Sequence, residues 1–168
     1  MWTDIYWLPL SLPGRLGTMP RPRGHDWLED EIAHLRRSKV DILVSALEWA
    51  ECVELDLLQE PQLARRAGLE MVEFPISDRG CPESSLRFIE CVQSLATEVE
   101  QGKSVVVHCR QGIGRASLLA VGVLGALSYS SEQAWQLMSD VRGRQVPDTE
   151  AQRDWLDRIW TGLSEQGG

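Results

Sequence analysis

The sequence predicts an α/β fold, a single-domain three-layer sandwich with a mainly parallel central sheet flanked by helices. Two observations carry that prediction. Short apolar, β-branched runs alternate along the chain with amphipathic stretches of helical period, and the most apolar run shows no polar alternation, the profile of a strand covered on both faces. Composition allows it. A chain of 168 residues can bury one core without metal or disulfide staples, and 43% hydrophobic with 25% charged residues are ordinary globular proportions, which sets disorder and fibrous architectures aside. No repeat, low-complexity tract or linker divides the chain, so residues 1–168 are expected to form one domain.

The elements follow in order. Residues 1–24 are rich in Pro, Gly and Arg, and proline lacks the donor that a sheet interior needs. Short edge strands are therefore expected at residues 5–8 and 15–19, followed by a loop in which Arg21 and Arg23 are solvated or face an anion. Beyond Asp26, residues Trp27, Leu28, Ile32 and Leu35 recur at helical spacing; acids lead and Arg36, Arg37 and Lys39 close, as the helix dipole prefers. Glu29, Asp30 and Glu31 read as a solvated helix start. Residues 40–47 read as a buried strand, 48–59 as weakly helical, 61–67 as a short helix ended by Gly68, and 69–74 as a strand. After a loop at 75–82, residues 83–101 form a long amphipathic helix with Leu86, Ile89, Val92, Leu95 and Val99 on one stripe and Gly102 as its stop. Residues 104–107 are the central strand. Residues 116–129 are a buried helix, 131–141 a helix behind a serine cap, and 149–163 a helix with Trp155, Leu156, Ile159, Trp160 and Leu163 on one face. The tryptophans read as core and rim.

Charge narrows the function classes. Seventeen basic against 25 acidic residues give −8, with a pI near 4.9. Such a surface repels nucleic acid and lipid backbones, so neither is expected as a partner, and binding a phosphate requires a local positive site. No apolar run approaches the ~20 residues of a membrane span, and the stretch Met1-Trp2-Thr3-Asp4 does not resemble a leader. A cytoplasmic monomer is expected. Cys52, Cys81, Cys91 and Cys109 are expected as free thiols; no Cys-x-x-Cys spacing or His cluster suggests a metal, and no cofactor is implied.

One segment carries chemistry: Val105-Val106-Val107-His108-Cys109-Arg110-Gln111-Gly112-Ile113-Gly114-Arg115. A buried strand delivers a cysteine to its carboxyl end, where ligands bind in open α/β sheets. Two glycines let the backbone curl with amides pointing inward as an anion nest, and the following helix adds positive partial charge. Arg115 can grip two phosphate oxygens. The same donors favour a thiolate, since thiols at helix N-termini beside cations fall from about 8.5 to roughly 3.5–7.5. A thiolate beneath phosphorus is a covalent catalyst.

This block resembles the signature loop of the cysteine-dependent protein tyrosine phosphatases, a His-Cys pair followed by five residues and an Arg. The short chain and motif order resemble the dual-specificity branch, in particular its compact kinase-associated-phosphatase-like group. The resemblance implies a phosphomonoester hydrolase of phosphoproteins, phosphotyrosine foremost with phosphoserine and phosphothreonine open. It implies Cys109 as nucleophile, and Arg115 with the backbone of Arg110, Gln111, Gly112, Ile113 and Gly114 as the phosphate cradle. His108 then helps to set the thiolate through backbone hydrogen bonds. Phe74-Pro75-Ile76-Ser77-Asp78, about thirty residues upstream, resembles the family's acid loop and implies Asp78 as general acid. Pro147-Asp148-Thr149-Glu150-Ala151-Gln152 resembles the glutamine loop that orients water in the larger enzymes, with Asp148 in place of the first glutamine. An equally good reading has Asp148 or Thr149 capping the last helix and Gln152 on its surface.

One departure bears on rate. The family's Ser or Thr after the loop arginine is Ala116 here, and Ser117 comes one place, about 100°, too late. It motivates an alternative of another class, a catalytically weak phosphate-binding pseudophosphatase; a less favoured one is a rhodanese-like sulfurtransferase, which also puts a cysteine on a curled loop after a strand but has no use for an acid loop. Cys81, in the acid loop, reads as a small loop or core residue, with a resolving thiol as the sharper option.

Overall fold

The computed structural model describes residues 2–165; Met1, at the head of the stretch read for a leader, and residues 166–168 of the expected domain lie outside the described residues. A five-stranded sheet runs in the order β1-β2-β5-β3-β4. Its strands are β1 (Tyr6–Trp7), β2 (Arg15–Met19), β3 (Ile42–Ser45), β4 (Glu70–Glu73) and β5 (Ser104–His108). Only β1 is antiparallel; β2, β3 and β4 run parallel to their partners, with Gly17 opposite Val106 and Leu43 opposite Val106 across β5. β5 is thus the centre, and all five of its residues are buried.

Alternation builds the two core layers. Val105, Val107, Ile42 and Val44 face a cluster with Phe88, Val92, Leu118, Leu119 and Trp135, whereas Val106 and Leu43 face Leu28, Ile32, Leu35 and Leu57. The second layer holds α1 (Leu28–Arg37) and α3 (Glu60–Arg66), reached through α2 (Trp49–Glu54). The first holds α4 (Ser85–Glu100), α5 (Arg115–Ala126), α6 (Ser131–Arg142) and α7 (Glu150–Leu163). Eleven residues of α5 are buried, so this helix is the axis of its layer. Gly122 and Gly125 lie against Phe88 and Leu163, where a Cβ would collide. Capping fixes the ends: Ser84, Ser130 and Thr149 each accept an N–H from the first turn of α4, α6 and α7.

Several expectations need correction. β2 is not an edge strand; it lies between β1 and β5 because residues 15–19 contain no proline and Gly17 lets Trp7 approach. Leu86 is 65% exposed, and Phe88, fully buried, takes its place on the α4 stripe. Burying a phenylalanine contributes about 1.5–3 kcal/mol, which decides that rotation. Glu31 is not solvated: it is 2% exposed, because Arg23 and the Thr3 backbone N–H and hydroxyl donate to it. Arg23 accordingly serves the fold, also covering the Trp27 ring at 4.4 Å. Trp135 is core, but Trp49 is 73% exposed.

Candidate active site

At the carboxyl end of β5 the chain turns through residues 109–114 and enters α5 at Arg115. Gly112 has φ +72, and a Cβ there would stand 2.7 Å from the Met19 carbonyl, so glycine is required on both counts. The outer side of this loop is tied down. The Arg21 N–H donates to the Arg110 carbonyl at 3.2 Å, and Arg142 donates to the Gly112 carbonyl at 3.1 Å and the Gln111 carbonyl at 3.4 Å. Arg142 is itself stacked on Tyr6 at 3.9 Å. With carbonyls held outward, amides are left to face inward. The Gly112 N–H does so, donating to Cys109 Sγ at 3.3 Å. Cys109 is 3% exposed, and Ile113 plugs its side chain into the core.

Arg115 is buried and densely bonded. Nη1 donates to Glu51 Oε2 at 2.8 Å and to the Ile76 carbonyl at 2.9 Å; Nη2 donates to Glu51 Oε1 at 2.9 Å and to Asp78 Oδ1 at 3.2 Å. Burial opposes its charge, but Glu51, the Cys109 sulfur and Asp78 together hold its pKa above the ordinary arginine value. Glu51 is desolvated, which works against its charge, yet the Arg115 bonds and the Glu48 N–H keep its carboxyl below the usual range. That N–H contact, 2.9 Å long, is half of the capping box of α2, so one carboxylate both starts a helix and fixes the arginine. At the mouth, Arg110 donates to Glu54 at 2.9 Å.

Beneath the cysteine, His108 is fully buried with Nδ1 3.1 Å from the Cys109 carbonyl and Nε2 2.7 Å from Glu60 Oε2. Both ring nitrogens stand against oxygens, an arrangement that favours the doubly protonated ring. Burial alone would lower its pKa, and Glu60 with the carbonyl reverses the direction and raises it.

Cys109, Arg115, Asp78, Arg110, Gln111 and Gly114 line one cavity of about 200 Å³, which Arg79 and Asp148 also line. The structure thus gathers residues separated by up to 70 positions. Gln152 is not among them. It is fully buried rather than on the helix surface: its backbone N–H takes the Thr149 cap, and its Nε2 donates to the Gly80 carbonyl at 3.0 Å. Asp148 does reach the cavity, pressed against Gly114. Cys81 turns elsewhere, its thiol 3.7 Å from the Ala151 carbonyl. Burial raises the pKa of Cys52 and Cys81 and pushes Cys91 up to about 11. Ala116 is buried, and the Ser117 hydroxyl, also buried, has no hydrogen-bond partner among the described residues. Among those residues no group of three or more His, Cys, Asp or Glu could hold a metal, and no helix is long and apolar enough to cross a membrane. Sequence reasoning missed Glu51, Glu60 and Arg142; each is an ordinary charged residue far along the chain, and only folding makes it special.

A parallel sheet with a cysteine loop between its central strand and a buried helix, an arginine at that helix's start and an aspartate opposite, defines the protein-tyrosine-phosphatase class of α/β fold. The chain belongs to the Tc-R-P family, described as a polymorphic toxin system DSP-PTPase phosphatase, whose family model matches residues 17–125. It is 31% identical over 110 residues to human cyclin-dependent kinase inhibitor 3, covering 62% of this chain and 51% of that protein. The chain spans about half the length of the curated relatives it matches. Among solved structures, kinase associated phosphatase with its catalytic-site cysteine replaced by serine superposes with a TM-score of 0.88 at 22% identity, over 99% of this chain and 98% of that one. Tk-PTP in its active form gives a TM-score of 0.71 at 25% identity, over 91% and 93%.

Proposed function

We propose that this phosphatase hydrolyses phosphomonoesters of phosphoproteins through a phosphocysteine on Cys109, with residues 1–168 acting as one catalytic domain, a cytoplasmic monomer without metal or cofactor. The Gly112 N–H directed at Cys109 Sγ, in the cavity shared with Arg115, carries the reading. A sulfur that accepts an amide hydrogen beside a guanidinium is stabilised as thiolate. The Cys109 thiolate attacks phosphorus in line, and the P–O bond to the leaving group breaks. Loop amides and Arg115 hold the equatorial oxygens, a matter of positioning and electrostatics. Of the Arg115 contacts, the 3.2 Å bond to Asp78 is the longest to a carboxylate, and a phosphate oxygen replaces it. Asp78, so released and protonated, gives its proton to the leaving oxygen. Water then attacks the phosphocysteine, Asp78 takes the proton back, and phosphate leaves.

Likeness to a kinase associated phosphatase supports a phosphoprotein substrate, phosphotyrosine first, with phosphoserine and phosphothreonine also admitted. Hydrolysis of an aryl phosphate, sensitive to vanadate and resistant to chelators, is expected and should vanish in Cys109→Ser. Wild-type rates in that variant would refute the assignment. A second reading rests on Ala116: without a hydroxyl there, the phosphocysteine persists and the protein is mainly a phosphate binder with slow turnover.

A further inference from the structure

A second, larger cavity lies beside the Cys109 site. A groove of about 920 Å³ runs between β4 and α4, with Val72, Phe74, Ile76 and Leu95 providing apolar surface. Glu48, Glu73, Glu83 and Glu90 also line it, against a single cation, Arg87. β4 is the outer strand: Glu70 and Phe74 direct their N–H groups inward to Asp41 and Ser45, so by ladder alternation the Glu73 backbone faces the open side. The acid loop joins groove and cavity, for Pro75, Ile76 and Ser77 line the one and Asp78 and Arg79 the other.

An acidic trough with an apolar floor and a free strand edge suits an extended chain bearing Lys or Arg among apolar side chains. We propose that this groove binds a basic, extended segment of the phosphoprotein substrate next to its phosphorylated residue. The inference rests on the phosphoprotein reading above and adds a selection rule to it. The phosphate enters a cavity that Arg79, Arg110 and Arg115 line, while its neighbouring residues meet an acidic groove, so substrates of the opposite layout are disfavoured.

Two phosphotyrosyl peptides of equal length, one flanked by Lys-Arg and apolar residues and the other by Asp-Glu and apolar residues, test this beside para-nitrophenyl phosphate. At low ionic strength the basic peptide should show a kcat/KM about five- to tenfold higher, given the modest strength of exposed ion pairs, and added salt should erase the difference. Glu83→Lys with Glu90→Lys should abolish the preference, and Glu83→Gln with Glu90→Gln should halve it, both leaving para-nitrophenyl phosphate hydrolysis unchanged. Equal rates in the wild type, or a preference that survives both pairs of substitutions, would overturn the proposal. Anisotropy of a fluorescein-labelled, unphosphorylated basic peptide decides the groove separately. If para-nitrophenyl phosphate is not hydrolysed, the catalytic reading fails, yet saturable peptide binding lost in the Lys variant still upholds the groove, and absence of binding sinks it.

Discussion

In the proposed mechanism, Asp78 and Ala116 are the residues on which rate depends. Asp78 sits 3.2 Å from an Arg115 nitrogen and must give up that contact to serve as an acid. Asp78→Asn keeps the size and removes the proton, so kcat on an aryl phosphate should fall by about 10²–10⁴-fold, the usual worth of a positioned acid, with phosphate affinity retained; a change under threefold would exclude the role. Ala116 is fully buried in the first turn of α5 and carries no hydroxyl. In Ala116→Ser the steady-state rate should rise and a pre-steady-state burst should shrink, read by rapid quench. At this scale the gathering of Cys109, Arg115 and Asp78 around one cavity was legible in the sequence, because glycines, a strand and a helix punctuate them locally. It was silent on Glu51 and Glu60, whose partners lie 64 and 48 positions away.

Elements hold the loop in shape from outside. α6 contributes Arg142, whose guanidinium grips two loop carbonyls and rests on Tyr6 of β1. Arg142→Met keeps much of the stem and loses the donors. Its KM for aryl phosphate should rise several-fold while kcat changes less, since the cradle loosens without losing the nucleophile; an unaltered KM would dismiss the clamp. The helical and strand pattern was legible because period and caps are local properties, and the serine and threonine caps stand where the sequence places them. The α4 stripe was misread by one residue pair, as Leu86 and Phe88 lie on different sides and only packing against Trp155 and Phe74 selects the aromatic. The rank of β2 in the sheet was hidden for a similar reason: strand order depends on partners far along the chain.

For the whole molecule, charge sets a pH window. Glu31 and Glu51 are desolvated but held below 4.5 by their donors, so their contribution to stability is complete above pH 4.5 and lost as pH falls through their folded-state values. His108 is desolvated but held above 6.5 by Glu60, so its contribution is complete below pH 6.5 and lost as pH rises through its folded-state value. The urea midpoint should therefore be highest between pH 4.5 and 6.5 and decline on both sides. Glu60→Gln, which strands a buried imidazolium, should cost about 3–5 kcal/mol within that window; a flat profile or a silent substitution would contradict the buried pair.

The acid loop is moored at two posts, the Ile76 carbonyl on Arg115 and the Gly80 carbonyl on Gln152. Between them hang only Ser77, Asp78 and Arg79, a tether too short for a sweeping, lid-like arc. In the proposed mechanism, proton delivery is thus a matter of one carboxyl pivoting on a leash, and a leaving group that comes to rest beyond its radius would go unprotonated.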